Sequence, residues 1–181
     1  MDAQLNHLKN ASAVRLLVVS DSHGRLDGIT SLIQHTGLPD LLLHLGDHQN
    51  PLEEIARELD CPVLGVAGNC DHWQPAANLP DNRLVILAGR RFFLTHGHRY
   101  QVKSGLDSLL QTAIQDPWRA DFILFGHTHQ QWIRQLVQED RKIFVLNPGS
   151  AYPGRVGPQG IWIDISAGKI RIDLLPDLQG S

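Results

Sequence analysis

VRLLVVSDSH, residues 14–23, decides the fold. Apart from Arg15 its first six residues are aliphatic, three of them β-branched, and the run then breaks into Asp-Ser-His. Such a stretch reads as a strand buried on both faces, the kind found inside parallel sheets. The segments that follow agree. RLDGITSLIQHT (25–36) places Leu26, Ile29, Leu32 and Ile33 at helical spacing and is stopped by Gly37 and Pro39. LLLHL (41–45) is a second strand. PLEEIAREL (51–59) is a helix with Pro51 near its start and acid in its first turn, and PVLGVA (62–67) is a third strand. A β-α-β-α-β order predicts a parallel sheet.

Further along, the pattern changes. RLVILAGRRFFLTHG (83–97) reads as an antiparallel hairpin closed by Ala-Gly, SGLDSLLQTAIQ (104–115) as an amphipathic helix, and FILFG (122–126) as a short buried strand. Residues 132–147 and 160–175 alternate as two more hairpins, joined by a Gly- and Pro-rich loop. The expectation is one α/β domain over 1–181, with residues 1–13 as a polar lead-in. It would have two sheets, the first mainly parallel and the second mainly antiparallel, and helices on the outer faces.

Composition sets the outer limits. The 181 residues suit one domain, and 42% hydrophobic with 19% charged is an ordinary globular balance. A net charge of −3 and the lack of a basic stripe or added domain give no reason to expect nucleic acid. No apolar run reaches the roughly 18–20 residues that span a bilayer, and the N-terminus lacks a signal pattern, so a cytoplasmic protein without membrane contact is expected. Two cysteines make no disulfide framework, and Cys61 reads as a small buried hydrophobe.

Five strands end in polar turns: Asp21-Ser22-His23, Gly46-Asp47, Gly68-Asn69-Cys70-Asp71, His96-Gly97-His98 and Gly126-His127-Thr128-His129. Ligands bind at the carboxyl ends of strands in open α/β sheets, so these groups should converge. Each fragment alone signifies little more than a solvated turn. Together, Asp21, His23, Asp47, Asn69, His96, His127 and His129 form a set of oxygen and nitrogen ligands. A purely structural account would bury several ionisable groups without partners, which is costly. If the segments are extended, residues two apart face the same side. Asp21 and His23 could then share one metal, His127 and His129 could each meet a different one, and Asp47 could bridge. The reading is a two-metal site.

The order Asp-x-His, Gly-Asp, Gly-Asn-x-Asp, His-Gly-His, Gly-His-Thr-His and Asn-Pro-Gly-Ser resembles the calcineurin-like metallophosphoesterase superfamily from about residue 15 to about 165. The best match is its short single-domain branch of small bacterial and archaeal phosphodiesterases. The resemblance implies the metallo-dependent phosphatase fold, a four-layer α/β/β/α sandwich with two mixed sheets. It implies that Asp21, His23, Asp47 and His129 hold one divalent metal, and Asp47, Asn69, His96 and His127 a second. Manganese is the first expectation, with iron, nickel, cobalt or zinc also suited to such ligands. It further implies hydrolysis of a small phosphate ester by in-line attack of a metal-bridging hydroxide, with no covalent protein nucleophile.

One position departs from many relatives, which read Gly-Asn-His-Asp where this chain has Cys70. In them the histidine contacts phosphate and protonates the leaving group. Cys70 can be a bland wall residue, a weak donor or an oxidation-sensitive ligand. A poorer acid there favours diesters with good leaving groups over alkyl monoesters. Asn69, His98 and Cys70 are the candidate catalytic residues, with Asn69 and His98 as substrate contacts. His72 reads as an exposed loop residue, His48 as solvated, and Asp71 as orienting its turn or a ligand histidine. Asn147 and Ser150 read as shaping the backbone at the site edge. Arg99, Tyr100, Lys103 and Arg155 are candidate substrate contacts by their position near the motifs alone. The alternatives are a phosphomonoesterase and a non-catalytic scaffold on the same fold. A homodimer is allowed on general frequency.

Overall fold

The computed structural model describes residues 2–71 and 78–176, with side chains from residue 6 onward. Ten strands form two five-stranded sheets. In chain order they are β1 (Ala13–Val19), β2 (Leu41–His44), β3 (Val63–Gly65), β4 (Asn82–Leu87), β5 (Arg90–Thr95), β6 (Phe122–Phe125), β7 (Gln131–Gln138), β8 (Arg141–Pro148), β9 (Gly160–Ser166) and β10 (Lys169–Leu175). The helices are α1 (Asp2–Lys9), α2 (Asp27–Thr36), α3 (Leu52–Leu59) and α4 (Asp107–Ile114).

The first sheet runs β10-β9-β1-β2-β3 and the second β4-β5-β6-β8-β7. Parallel neighbours need a crossover, and α2, α3 and α4 supply those from β1 to β2, β2 to β3 and β5 to β6. Both sheets are mixed to the same degree, which corrects the expectation of one mainly parallel and one mainly antiparallel sheet. The 160–175 hairpin adds to the first sheet through β9 against β1, so each sheet has two parallel and two antiparallel pairings. Alternation alone does not say which edge a hairpin joins.

Three apolar clusters mark the three interfaces of an α/β/β/α sandwich. Leu16, Val18, Leu41, Leu43 and Ile163 of one sheet meet Phe92, Leu94, Phe122 and Leu124 of the other. Leu17, Val19 and Leu42 pack outward on Ile29 and Leu32 of α2 and Ile55 and Leu59 of α3. Phe93, Ile123, Ile143 and Val145 pack outward on Leu109 and Ala113 of α4. Successive residues of one strand thus serve opposite layers, and this is why the strands read as continuous apolar runs. Cys61 is buried, as expected for a small hydrophobe, and burial pushes its thiol up to about 11.

The N-terminal segment is a helix, not a polar lead-in. Leu8 is buried in the central core. The carbonyls of Leu8 and Lys9 accept the N–H groups of Ala88 and Gly89 at 2.8 Å. Ala88 and Gly89 both have positive φ, as a two-residue turn between twisted strands demands. Helix α1 and that hairpin turn therefore satisfy each other's open backbone groups. The short polar stretch showed no long apolar stripe, because its docking uses main chain and one leucine.

Candidate metal centre

Strands β1, β2 and β3 are parallel in the first sheet and β5, β6 and β8 in the second, and the bond from His127 N–H to Asp21 Oδ2 (3.0 Å) brings the carboxyl ends of both sets to one side of the sandwich. Main-chain hydrogen bonds lock the turns together. Asp21 N–H donates to Gly46 O (3.0 Å), His23 N–H to Asp47 O (2.9 Å), Gly126 N–H to His96 O (3.1 Å) and Ala151 N–H to Ser20 O (2.8 Å).

The backbone at the site is unusual. Asp21, His23, Asp47, His127 and His129 all have φ between 47° and 67°. Non-glycine residues adopt this left-handed region sparingly, and clusters of it occur at functional sites. The expectation that Asp21 with His23, and His127 with His129, meet because their segments are extended is therefore corrected. These side chains converge through tight turns of left-handed residues. Two glycines permit the close approach: a Cβ on Gly68 would collide with Asp47, and one on Gly126 with Ser20, 3.0 Å from Asp21 Oδ2.

At the centre are two buried carboxylates, Asp21 and Asp47, and buried His96. His96 Nδ1 lies 2.7 Å from Leu45 O, which can only accept, so Nδ1 carries the hydrogen. The other ring nitrogen, Nε2, faces Asn69 Oδ1 at 3.1 Å, Asp47 Oδ2 at 3.4 Å and Asp21 Oδ1 at 3.9 Å. A lone pair aimed at three acceptor oxygens is repulsive unless a cation or a proton joins them. Asp21 Oδ1 is buried and accepts no well-formed hydrogen bond among the described residues, although His129 Nε2 is 3.1 Å away. The groups Asp21-His23-His129, Asp21-Asp47-His96 and His23-Asp47-Cys70 each bring ligand atoms within 4.8 Å of one another. These residues fit a divalent cation. The His129 side chain is 49% exposed where Asp21 is 0%, so the cluster opens to solvent on that side.

Charge at the site is strongly coupled. Burial alone would raise Asp47, but its pairing with His96 and the N–H of Cys70 hold the carboxyl well below the usual range. Burial opposes protonation of His96, yet Asp47 and Asp21 hold that ring above the ordinary imidazole value. Pairing with Asp21 raises His129. Burial, followed by the charge of His96, lowers His127 to about 4 and also lowers His98. Burial and the Asp47 carboxylate push the Cys70 thiol up to about 11.

The remaining named residues fall into place around this cluster. Asn69 turns Oδ1 to His96 and its amide to Cys70 Sγ at 3.3 Å, while Cys70 N–H donates to Asp47 Oδ1 at 2.7 Å. The His98 ring is 5.4 Å from that of His96 and 6.2 Å from that of His127. The Asp71 carboxylate accepts N–H groups from Asp47 (2.8 Å), Gly68 (2.8 Å) and Gln49 (2.9 Å), stapling the turns after β2 and β3. Asn147 donates to Gly126 O and Thr128 Oγ1, and Ser150 Oγ donates to Asp21 O at 2.9 Å. His48 is fully buried, not solvated: Nδ1 is 2.6 Å from Asn50 O and Nε2 is 3.6 Å from Asp71. Arg99 pairs with Asp81, and Tyr100 accepts from Asn82. His72 lies outside the described residues. Sequence reading missed Tyr152, whose ring is 6.5 Å from that of His23 with Arg25 over its face at 5.8 Å. Its only signal was an aromatic in a Gly- and Pro-rich loop.

Comparison with known proteins gives a family and a fold. The calcineurin-like phosphoesterase superfamily domain matches residues 14–167. A probable metallophosphoesterase of Bacillus subtilis, YsnB, is 32% identical over 144 residues, covering 79% of this chain and 78% of that protein. Phosphodiesterase YfcE of Escherichia coli is 29% identical over 159 residues, covering 76% and 79%. Among solved structures, Vacuolar Protein Sorting 29 from Cryptosporidium parvum superposes with a TM-score of 0.66 at 17% identity, covering 91% of this chain and 97% of that one, a likeness of fold alone.

Proposed function

Since the chain belongs to the calcineurin-like phosphoesterase superfamily, we propose that it is a phosphodiesterase working with two divalent cations, manganese first among them. One observation supports this reading: His96 Nε2 and the carboxylates of Asp21 and Asp47 converge in a buried cluster that a divalent cation would neutralise. Asp21, His23, Asp47 and His129 are the proposed holders of one cation. Asp47, Asn69, His96 and His127 are those of the other.

The cations, when bound, supply Lewis acidity toward the phosphoryl oxygens and an activated water for in-line attack on phosphorus. The protein's own residues set the frame. Leu45 O fixes the His96 tautomer so that Nε2 is the ligating atom. Asp71 holds the Asp47 and Gly68 amides in place, and Ser150 holds the carbonyl of Asp21. Cys70 stands where an imidazole acid would serve, and a thiol is a weak hydrogen-bond donor. Little help reaches a poor leaving group, which favours diesters with acidic alcohols. His98, beside His96 and His127, is the proposed contact to substrate oxygen, together with the Asn69 amide.

The test is hydrolysis of bis(4-nitrophenyl) phosphate and 4-nitrophenyl phosphate by metal-stripped protein, with and without manganese, alongside Asn69→Ala. The reading expects manganese-dependent turnover, greater on the diester and reduced at least a hundredfold in the variant. Turnover greater on the monoester would move it to a phosphomonoesterase. No turnover with manganese, nickel, cobalt, iron or zinc would favour a scaffold.

A further inference from the structure

A cavity of about 500 Å³ adjoins the metal centre on the α4 side. Its walls include Val102, Lys103 and Leu106 from the segment after β5, Thr128 and Gln130 from the segment after β6, and Trp132 at the start of β7. Both segments are continuous with the site. Thr128 lies between His127 and His129 and accepts a hydrogen bond from Asn147. Val102 packs against Gly97, between His96 and His98, so closely that a Cβ there would come within 2.9 Å of it. A phosphoryl group at the centre would thus have an ester arm within reach of this cavity.

The lining says what kind of arm fits. Trp132 is half-buried, and its ring is braced edge-on by Phe125 at 6.1 Å. Leu106 and Val102 add apolar wall. Gln130 and Lys103 are exposed, and Lys103 makes no ion pair among the described residues. Gln131, also at the cavity, is already committed to the carbonyls of Gly160 and Leu175. A plain acyl chain would strip water from Lys103 and Gln130 without replacing it. A flat ring with polar edges can stack on Trp132 and bond to both. The volume falls within the ordinary range for small-ligand sites.

We infer that this cavity is the substrate subsite and takes a planar, hydrogen-bonding aromatic ester arm of the nucleobase class, with Trp132 as stacking surface and Lys103 and Gln130 as polar contacts. The inference rests on the phosphodiesterase reading, and its test separates the two. Manganese-loaded protein would be given thymidine 5′-(4-nitrophenyl) phosphate and methyl 4-nitrophenyl phosphate, which share a leaving group. Stacking on an aromatic side chain makes a difference of about tenfold or more. The expected kcat/KM is therefore at least about tenfold higher for the nucleoside diester. Trp132→Leu and Lys103→Ala should bring the ratio to about threefold or less, mainly through KM. Val137→Ser, exposed at the far end of β7, should keep the wild-type ratio. If Trp132→Leu does not fold, Lys103→Ala at an exposed position carries the test. A wild-type ratio near one, or a full ratio retained in the folded variants, overturns the subsite. Turnover of neither diester sinks the phosphodiesterase reading instead. Quenching of tryptophan fluorescence by thymidine 5′-monophosphate then decides the cavity: saturable quenching weakened in Lys103→Ala and lost in Trp132→Leu supports it, and absence of quenching overturns it.

Discussion

Asp71 is not itself a proposed ligand, yet three amides of the site turns, that of Asp47 among them, donate to its buried carboxylate. Hydrogen bonds to a charged acceptor are stronger than neutral ones, and an orphaned buried donor is costly. Asp71→Asn should lower stability by about 2 kcal/mol, read from urea denaturation. It should also weaken manganese binding by about tenfold to a hundredfold, the usual effect of losing a residue that orients ligands. Unchanged affinity in a folded variant would mean that the turn holds Asp47 without it. Cys70 yields a second prediction at this scale. Cys70→His restores an imidazole beside Asp47 and Asn69 and should raise the rate on an alkyl phosphomonoester by about tenfold to a hundredfold, relative to the rate on an activated diester. An unaltered ratio of the two rates would show that residue 70 is only wall.

At the scale of elements, β2 carries a buried titratable group between its layers. His44 is fully buried, with Nε2 3.0 Å from Ser22 Oγ, and burial followed by the charge of His48 holds its pKa well below the ordinary value. In the unfolded chain the ring titrates near ~6.5. Below that pH the unfolded chain binds a proton that the folded chain refuses. The contribution is fully present above about 6.5 and is lost as pH falls from there toward the folded pKa, by up to about 1.4 kcal/mol per pH unit. His44→Gln should therefore make stability less sensitive to pH between 7.5 and 5.5, by about 1 kcal/mol in paired urea titrations. Equal slopes for the two proteins would contradict this. The elements also show where sequence reading stops. The continuous apolar runs of β1, β2 and β6 and their polar ends were legible because layer packing and strand-end position act locally. The left-handed turns at Asp21, His23, Asp47, His127 and His129 were not, since no local preference of Asp or His demands them. They are imposed by cross-turn hydrogen bonds such as His23 N–H to Asp47 O. Helix α1 and the placement of β9 beside β1 were likewise decided by distant partners.

The whole molecule is a device for bringing strand ends together. Phe92, Phe122 and Phe144 stack along the second sheet, with ring centroids 4.3 and 5.0 Å apart, and form its wall toward Leu16, Leu41 and Ile163 of the first, and each sheet delivers its parallel carboxyl ends to one edge. Asp21, Asp47 and Asn69 come from one sheet, and His96, His127 and His129 from the other, so neither sheet holds the proposed centre alone. No helix among the described residues is long and apolar enough to cross a membrane. The convergence brings together the seven proposed ligands though their spacing along the chain runs from 21 to 129. Asp47, at the junction of the sheets, is the residue proposed to be shared by two cations. Manganese bound per chain, measured by calorimetric titration of metal-stripped protein, tests it most directly. Two ions per chain are expected in the native protein, one in His129→Ala, and neither held tightly in Asp47→Ala. A native protein that binds one ion or none, or an Asp47→Ala variant that keeps both, would contradict it.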